Sequence, residues 1–292
     1  MIRSLAVCIS IFNAGLVAAS DCCKGSAAIV VSLSGQASVH SGAASSRLAA
    51  LDWLSADVII ETGSKSTISV RLANGRGWEF GEHTRATVKA DVVTQISGTI
   101  TELAPLPPIP KPAPIAGDYG QVAGAVRFRG DSPPRSLYPH EGATALPDTV
   151  KLSFSAVAGA SSYRLVLADE NDTELWVQQT AATSVSVPAK VLKPGTRYVW
   201  HAEAWGRGAK LGEAEAQFAT ISETTLAERR TFMAAIASQP RERALLASID
   251  VRLGLLAEAV DEFGDALRES PDDPEIQRAL AAAKIARDGG EK

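Results

Sequence analysis

Leu51–Val93, LDWLSADVIIETGSKSTISVRLANGRGWEFGEHTRATVKADVV, is the stretch whose reading decides the fold. Within it Ile68, Val70 and Leu72 alternate with Ser69 and Arg71, the period-2 pattern of a strand with one buried face. Asn74-Gly75 follows, a pair suited to the positive φ angles of a tight hairpin turn. Trp78 and Phe80 then alternate along a return strand. The stretch therefore predicts a small all-β unit built around a hairpin.

Working outward, Ala27–His40 reads as an opening hairpin, with apolar arms Ala28–Val31 and Ala37–Val39 and a turn at Ser34-Gly35. Leu48–Trp53 reads as one helical turn or as the lead-in to a strand. Thr94–Glu102 is expected to add a last strand, with Ile96 and Ile100 pointing inward, which bounds the β unit at residues 26–103. On Ala56-Asp57, Thr62-Gly63, Ser66 and Val70-x-Leu72-Ala73-Asn74-Gly75, this unit resembles the FecR-type domain, named for the periplasmic part of bacterial iron-dicitrate sensors. That resemblance implies a β fold and, as one function, the relay of an outer signal to an extracytoplasmic regulatory pathway.

Residues 104–117 begin APLPPIPKPAP, a proline-rich linker in which fixed φ and missing donors predict an extended, semi-rigid spacer. Residues 118–146 hold a short strand and linker, with Val122, Val126 and Phe128 as strand residues and Ser132-Pro133-Pro134 as its breaker. From 147 to 221, VKLSFSAV, SSYRLVLADE, ELWVQQ, TSVSV, TRYVWHAEAW and EAEAQFAT alternate apolar with polar residues between regularly spaced turns, the pattern of a β-sandwich. Leu192-Lys193-Pro194-Gly195-Thr196-Arg197-Tyr198-Val199-Trp200 resembles the fibronectin type III pattern L-x-P-G-T-x-Y-x-W. The resemblance makes Tyr198 the residue whose hydroxyl bonds back to the backbone at a strand corner.

After Ser222 the apolar period lengthens to 3.6, and residues 222–288 read as helices with breaks at Gly254 and Ser270-Pro271. Ala259-x3-Phe263-x2-Ala266-x4-Pro271 resembles the second half of a tetratricopeptide repeat, which makes Phe263 the side chain that fills the gap between two helices. Arg243 and Asp250 stand where such a repeat has aromatics. One repeat is a short array, so docking on the sandwich or self-association is expected to stabilise it. The fold class is thus multi-domain and mainly β with an α C-terminus: a FecR-like β domain, a fibronectin III-like sandwich and a short helical-repeat segment.

Bulk properties narrow the function. The chain of 292 residues carries a formal net charge of −4, so no global field draws it to nucleic acid. Its 46% hydrophobic and 21% charged content is that of folded protein. Residues 1–20, with Arg3 ahead of the apolar run Leu5–Ala18 and small residues at Val17–Ser20, read as a signal peptide cleaved after Ala19 or Ser20. The run is shorter than the ~20 residues a spanning helix needs, which predicts a periplasmic chain with no membrane span. Cys8 leaves with the leader. Cys22 and Cys23 remain as an adjacent pair, read as incidental or as open to disulfide chemistry; a bridge between them would be strained.

Candidate chemistry is sparse. His40, His83, His140 and His201 are scattered singly, without the spacing that places two ligands on one metal. Asp169-Glu170-Asn171-Asp172-Thr173-Glu174 lacks the glycine and spacing of a calcium loop and reads as a polar turn. No cofactor or metal is expected and no catalytic set is assigned. Arg71, Arg76, Trp78 and Arg85 form the candidate partner-binding surface, because arginine and tryptophan are enriched at binding hot spots. The expected function is that of a non-enzymatic exported binding or scaffold protein whose partner is an envelope protein or cell-wall glycan. The alternatives are a FecR-like sensor or regulator and a carbohydrate- or peptidoglycan-binding protein.

Overall fold

A computed structural model of the protein describes residues 26–112, 127–236 and 240–288. The signal segment, Cys22, Cys23, Val122, Val126 and the end of the proline-rich linker lie outside the described residues. The chain is mainly β, with several antiparallel sheets and a helical C-terminal part. The described residues divide into two compact units. One runs to Pro110 and takes in Glu228–Arg252 and Asp261–Leu280; the other is Lys111–Ala227 with Leu253–Val260 and the residues from Ala281.

The strands of the first unit are β1 (Ser26–Ser34), β2 (Ala37–Ser41), β3 (Ala44–Arg47), β4 (Trp53–Ser55), β5 (Val58–Thr62), β6 (Thr67–Leu72), β7 (Gly77–Phe80), β8 (Arg85–Val88), β9 (Val93–Ser97) and β10 (Ile100–Leu103). They form two five-stranded sheets, in the orders β10-β7-β6-β1-β4 and β3-β2-β5-β8-β9. Every strand but β3 sends side chains into one shared core, including Val30, Val39, Ile60, Ile68, Val70, Leu72, Trp78, Phe80 and Val88. The predicted hairpin is present: Ile68 pairs with Phe80 and Val70 with Trp78, while Gly75 turns the chain at φ 87°.

Two expectations for this unit are corrected. β1 and β2 are no hairpin, because β1 pairs with β4 and β6 whereas β2 pairs with β3 and β5. The turn at Gly35 passes the chain from one sheet to the other, so the apolar faces of both arms reach the same core. Thr94–Glu102 is likewise two strands rather than one. Gly98, at φ 82°, separates β9 from β10, which lie in different sheets. Ile100 packs on the core, but Ile96 points outward and is exposed. Leu48–Trp53 forms no helix; Leu51 takes a left-handed φ of 68° before β4 begins.

The proline-rich segment is not a free spacer over its first residues. Leu106 N–H bonds to the Gly75 carbonyl at 3.0 Å and Ile109 N–H to the Ala73 carbonyl at 2.9 Å, with the Ile109 side chain buried. A Cβ at position 75 would stand 2.0 Å from the Leu106 carbonyl oxygen, so glycine serves both the turn and this close approach.

The second unit holds β11 (Arg127–Gly130), β12 (Ala143–Ala145), β13 (Lys151–Ser153), β14 (Ser162–Asp169), β15 (Glu174–Thr180), β16 (Ser184–Ser186), β17 (Arg197–Gly206) and β18 (Ala209–Thr220). Its larger sheet runs β11-β18-β17-β14-β15, with β12 parallel to β18; β13 pairs with β16 in a second, two-stranded sheet. Phe154, Tyr163, Leu165, Leu167, Tyr198, Trp200 and Phe218 dominate the core between them. Phe128 pairs within β11 but its side chain is exposed.

Four helices follow among the described residues: α1 (Glu223–Ala235), α2 (Pro240–Leu253), α3 (Leu256–Glu269) and α4 (Pro274–Arg287). Ser222 caps α1, its Oγ accepting the Thr225 amide at 3.1 Å. Gly254, at φ 78°, ends α2. Asp273 caps α4 by accepting the Glu275 and Ile276 amides.

Candidate functional site

Hairpin β6–β7 places Arg71, Arg76 and Trp78 together, but it turns them inward on the protein itself. Trp78 alternates onto the core face and keeps only 4% of its surface exposed. Arg71 crosses the turn, and its Nη1 donates to the carbonyls of Gly75 at 3.0 Å and Ala104 at 2.7 Å. Burial lowers the proton affinity of its guanidinium, against the opposing charge of Glu242. Arg71 therefore ties the hairpin turn to the start of the proline-rich segment. Arg76 gives Glu102 Oε1 two hydrogen bonds, at 2.9 and 2.8 Å, and its guanidinium carbon lies 4.8 Å from the Trp78 ring centre. Arg85 stands apart from these three, on β8 of the other sheet, 4.0 Å from Glu61. What the structure assembles at the hairpin is an internal clamp with Arg76 at its exposed rim.

The acidic stretch Asp169–Glu174 joins β14 to β15 as a turn. Asp169 Oδ1 accepts the Asn171 and Thr173 amides at 2.9 and 3.0 Å, and those bonds, Thr173's first, hold its carboxyl below the usual aspartate range. Among the described residues no group of three or more His, Cys, Asp or Glu side chains is placed to hold a metal ion.

Tyr198 is buried, and its hydroxyl accepts the Lys193 amide at 2.7 Å, fastening the loop ahead of β17. Phe263 is buried on α3, as are Ala259 and Ala266 on the same helix. Sequence reasoning missed what occupies the position at which Asp250 replaces an aromatic. Asp250 is fully buried and takes a two-pronged contact from Arg229 of α1, Nε to Oδ1 at 2.7 Å and Nη2 to Oδ2 at 2.6 Å. An arginine and an aspartate within otherwise apolar helical stripes were the only signal for this pair.

Sequence reasoning also passed over the open edge of the second unit. β15 is the last strand of its sheet in the described chain, and it pairs on one side with β14. Its outward residues Leu175 and Val177 are 40% and 43% exposed, while Trp176 packs on the core. The alternation in ELWVQQT carried the strand, but neither its edge position nor the lack of cover on Leu175 and Val177 is legible from alternation alone. An edge strand with exposed apolar side chains is a template for another strand.

No protein-family model matches the chain, and no curated protein matches it significantly. Among solved structures, a fibronectin III-like protein from Clostridium thermocellum is similar at 22% identity, over 33% of this chain and 94% of its own, with a TM-score of 0.24. The apo form of Bacteroides uniformis β-glucuronidase 3 is similar at 13% identity over 68% of this chain, with a TM-score of 0.22. The chain spans 25% of that enzyme. At these TM-scores neither likeness bears on the architecture or the chemistry of this protein.

Proposed function

We propose that this is a non-catalytic, exported binding or scaffold protein of the bacterial envelope, built from a FecR-like β domain, a fibronectin III-like sandwich and a tetratricopeptide-like helical segment. The observation that carries the reading is the edge position of β15, which pairs with β14 alone among the described strands and turns Leu175 and Val177 outward. A partner strand added there gains main-chain hydrogen bonds along the edge, and its own alternate side chains meet Leu175 and Val177. The hydroxyl of Tyr198 on the Lys193 amide supports the fibronectin-like part, and the burial of Ala259, Phe263 and Ala266 supports the helical part.

The test replaces Leu175 and Val177 by aspartate in the full chain and compares partner recovery from envelope extract by quantitative mass spectrometry. Loss of specific partners with an unchanged circular dichroism spectrum is the expected result. Full recovery by the folded variant removes the edge strand, and with it the supporting observation. N-terminal sequencing of the protein from its natural host tests export separately: a chain starting at Ser20 or Asp21 agrees with it, and a retained Met1 favours the FecR-like sensor instead.

A further inference from the structure

The segment between β3 and β4 has an unusual environment within the first unit. Ala49–Asp52 is irregular, with Leu51 left-handed, and Trp53 opens β4 opposite Ile29; besides its backbone bonds to Val30 of β1, the segment offers groups of several kinds to helix side chains. The Ala50 amide donates to Glu275 Oε1 at 3.1 Å, and the Ala50 carbonyl accepts from Arg278 Nη2 at 3.4 Å. The Asp52 carboxylate lies 3.6 Å from the same Arg278 guanidinium. The Trp53 indole N–H donates to Ser248 Oγ at 3.1 Å in a buried contact, and the Arg252 guanidinium carbon sits 4.5 Å from the Trp53 ring centre. Glu275 and Arg278 are three residues apart on α4, and Ser248 and Arg252 four apart on α2, so each pair presents one face of its helix. Backbone donor, backbone acceptor, carboxylate and aromatic ring are all matched.

That is the set of contacts by which a protein holds a short peptide, and here the peptide is part of the same chain. We infer that α2 and α4 present a peptide-binding face which Ala49–Trp53 fills in cis, a latch that a partner segment must displace. The chemistry of the latch defines the competitor: a non-helical segment carrying an aspartate followed directly by an aromatic residue. The inference deepens the interaction-protein reading and rests on it for biological meaning, but the occupancy of the face is testable by itself. A latch closed about nine-tenths of the time weakens the apparent affinity of a competing peptide about tenfold.

The probe is a fluorescein-labelled peptide of residues 48–55, LAALDWLS, titrated by anisotropy against the full chain. Two variants open the latch from the loop side and leave the helix face unchanged: Trp53→Ala and, in case the loss of the indole disturbs β4, Asp52→Ala. The expected result is binding to the opened variants at least about tenfold tighter than to the wild type. That binding should be lost for a peptide in which tryptophan is replaced by alanine. If a variant with a wild-type circular dichroism spectrum binds the peptide no more tightly than the wild type does, the contact is core packing and the inference is overturned. Peptide capture by the opened variants, combined with full partner recovery by the Leu175 and Val177 aspartate variant, would sustain the latch while removing the support for the interaction-protein reading, so the two fail separately.

Discussion

The two β units close their loops by different means. In the first, buried hydroxyls bind the turns: Thr62 Oγ1 donates to the Gly81 carbonyl at 2.6 Å and accepts the Thr84 amide at 2.8 Å. Thr84 Oγ1 likewise donates to the Thr99 carbonyl and accepts the Thr99 amide, and Ser66 Oγ accepts the Gln36 amide. In the second, the buried Thr220 Oγ1 likewise accepts the Thr196 amide, but aromatic side chains fill the core and fasten further loop positions with their polar tips. Trp200 donates to the Pro139 carbonyl at 2.9 Å, Tyr198 accepts the Lys193 amide, and Tyr163 accepts the Val157 amide at 2.9 Å. A hydroxyl on a short stem serves a tight turn close to the sheet, whereas a ring spans from the core centre to a loop and brings buried area with it. The second unit thus concentrates packing and loop closure in the same few residues, and the first separates them.

The largest effect follows from that concentration. Trp200→Ala removes a fully buried ring and leaves the Pro139 carbonyl without its donor. A loss of about 3–5 kcal/mol is expected, read from the denaturant midpoint with the slope unchanged. In the first unit Gly75→Ala should cost at least about 1–3 kcal/mol. The added Cβ meets the Leu106 carbonyl, and the backbone there has φ 87°. An accompanying rise in amide exchange at Leu106 and Ile109 would show that the proline-rich segment has been pushed off the turn.

Single-atom changes compare the two devices directly. Tyr198→Phe strips the acceptor from the Lys193 amide, and Thr62→Val strips it from the Thr84 amide. Thr62→Val should cost about 1–3 kcal/mol through an unsatisfied buried donor, and Tyr198→Phe, whose lost bond is only part-buried, about 0.5–1.5 kcal/mol. Hydrogen exchange separates them: in Tyr198→Phe the fast amides should cluster at Lys193–Thr196, and in Thr62→Val at Thr84 and Thr99. Spread over the whole unit in either case would erase the distinction between local hydroxyl clamps and ring-borne ones.

The strands and helices were largely legible in the sequence because they rest on periodicity, which is local. Ile68, Val70 and Leu72 announce a buried face, and Ala259, Phe263 and Ala266 announce a helical one. Sheet membership was not legible, because alternation fixes which face is apolar and not which sheet the strand joins. The arms at Ala28–Val31 and Ala37–Val39 read as a hairpin for that reason, although β1 and β2 lie in separate sheets. The same limit governed the candidate site. Arg71, Arg76 and Trp78 lie on one hairpin as expected, but Arg85, expected beside them, lies on β8 of the other sheet, and only long-range contacts show that Arg71 is spent on the Gly75 and Ala104 carbonyls. The contacts of Asp52 and Trp53 with α2 and α4 span some 200 residues of chain and leave no local trace.

A pH titration examines that long-range contact. Burial pushes the Asp52 carboxyl above its ordinary 3.8; the Ala49 amide and Arg278 oppose the rise, and Glu275 adds to it. The folded protein then holds this proton more tightly than the unfolded chain does. The contribution of Asp52 to stability is therefore greatest below the ordinary value and falls as pH rises through the raised one. Asp52→Asn should remove this component, so the difference between wild-type and variant melting temperatures should change steadily from pH 3.5 upward through the raised value and then level off. A difference independent of pH would mean that Asp52 titrates as it does in the unfolded chain.

The smallest expected effect bears most directly on the hairpin. Arg76 and Glu102 are 42% and 53% exposed at their side chains, so their ion pair is worth about 0–1 kcal/mol. The contact of Arg76 with the Trp78 ring adds about 0.5–1 kcal/mol. Arg76→Ala should therefore cost no more than about 1–2 kcal/mol, and a double-mutant cycle with Glu102→Ala should return a coupling below about 1 kcal/mol that shrinks as salt is raised. The contrast with Arg71 is the useful part. Arg71 is half-buried and holds two carbonyls, so Arg71→Ala should cost more than Arg76→Ala and should show the weaker salt dependence, because its hydrogen bonds go to carbonyl dipoles and the charge of Glu242 acts on it in a partly buried setting. If instead the two arginines behave alike, the division of this hairpin into an internal clamp and an exposed rim is wrong. If they separate as described, Arg76 is the residue of the hairpin whose guanidinium can be released to a partner without loosening the fold.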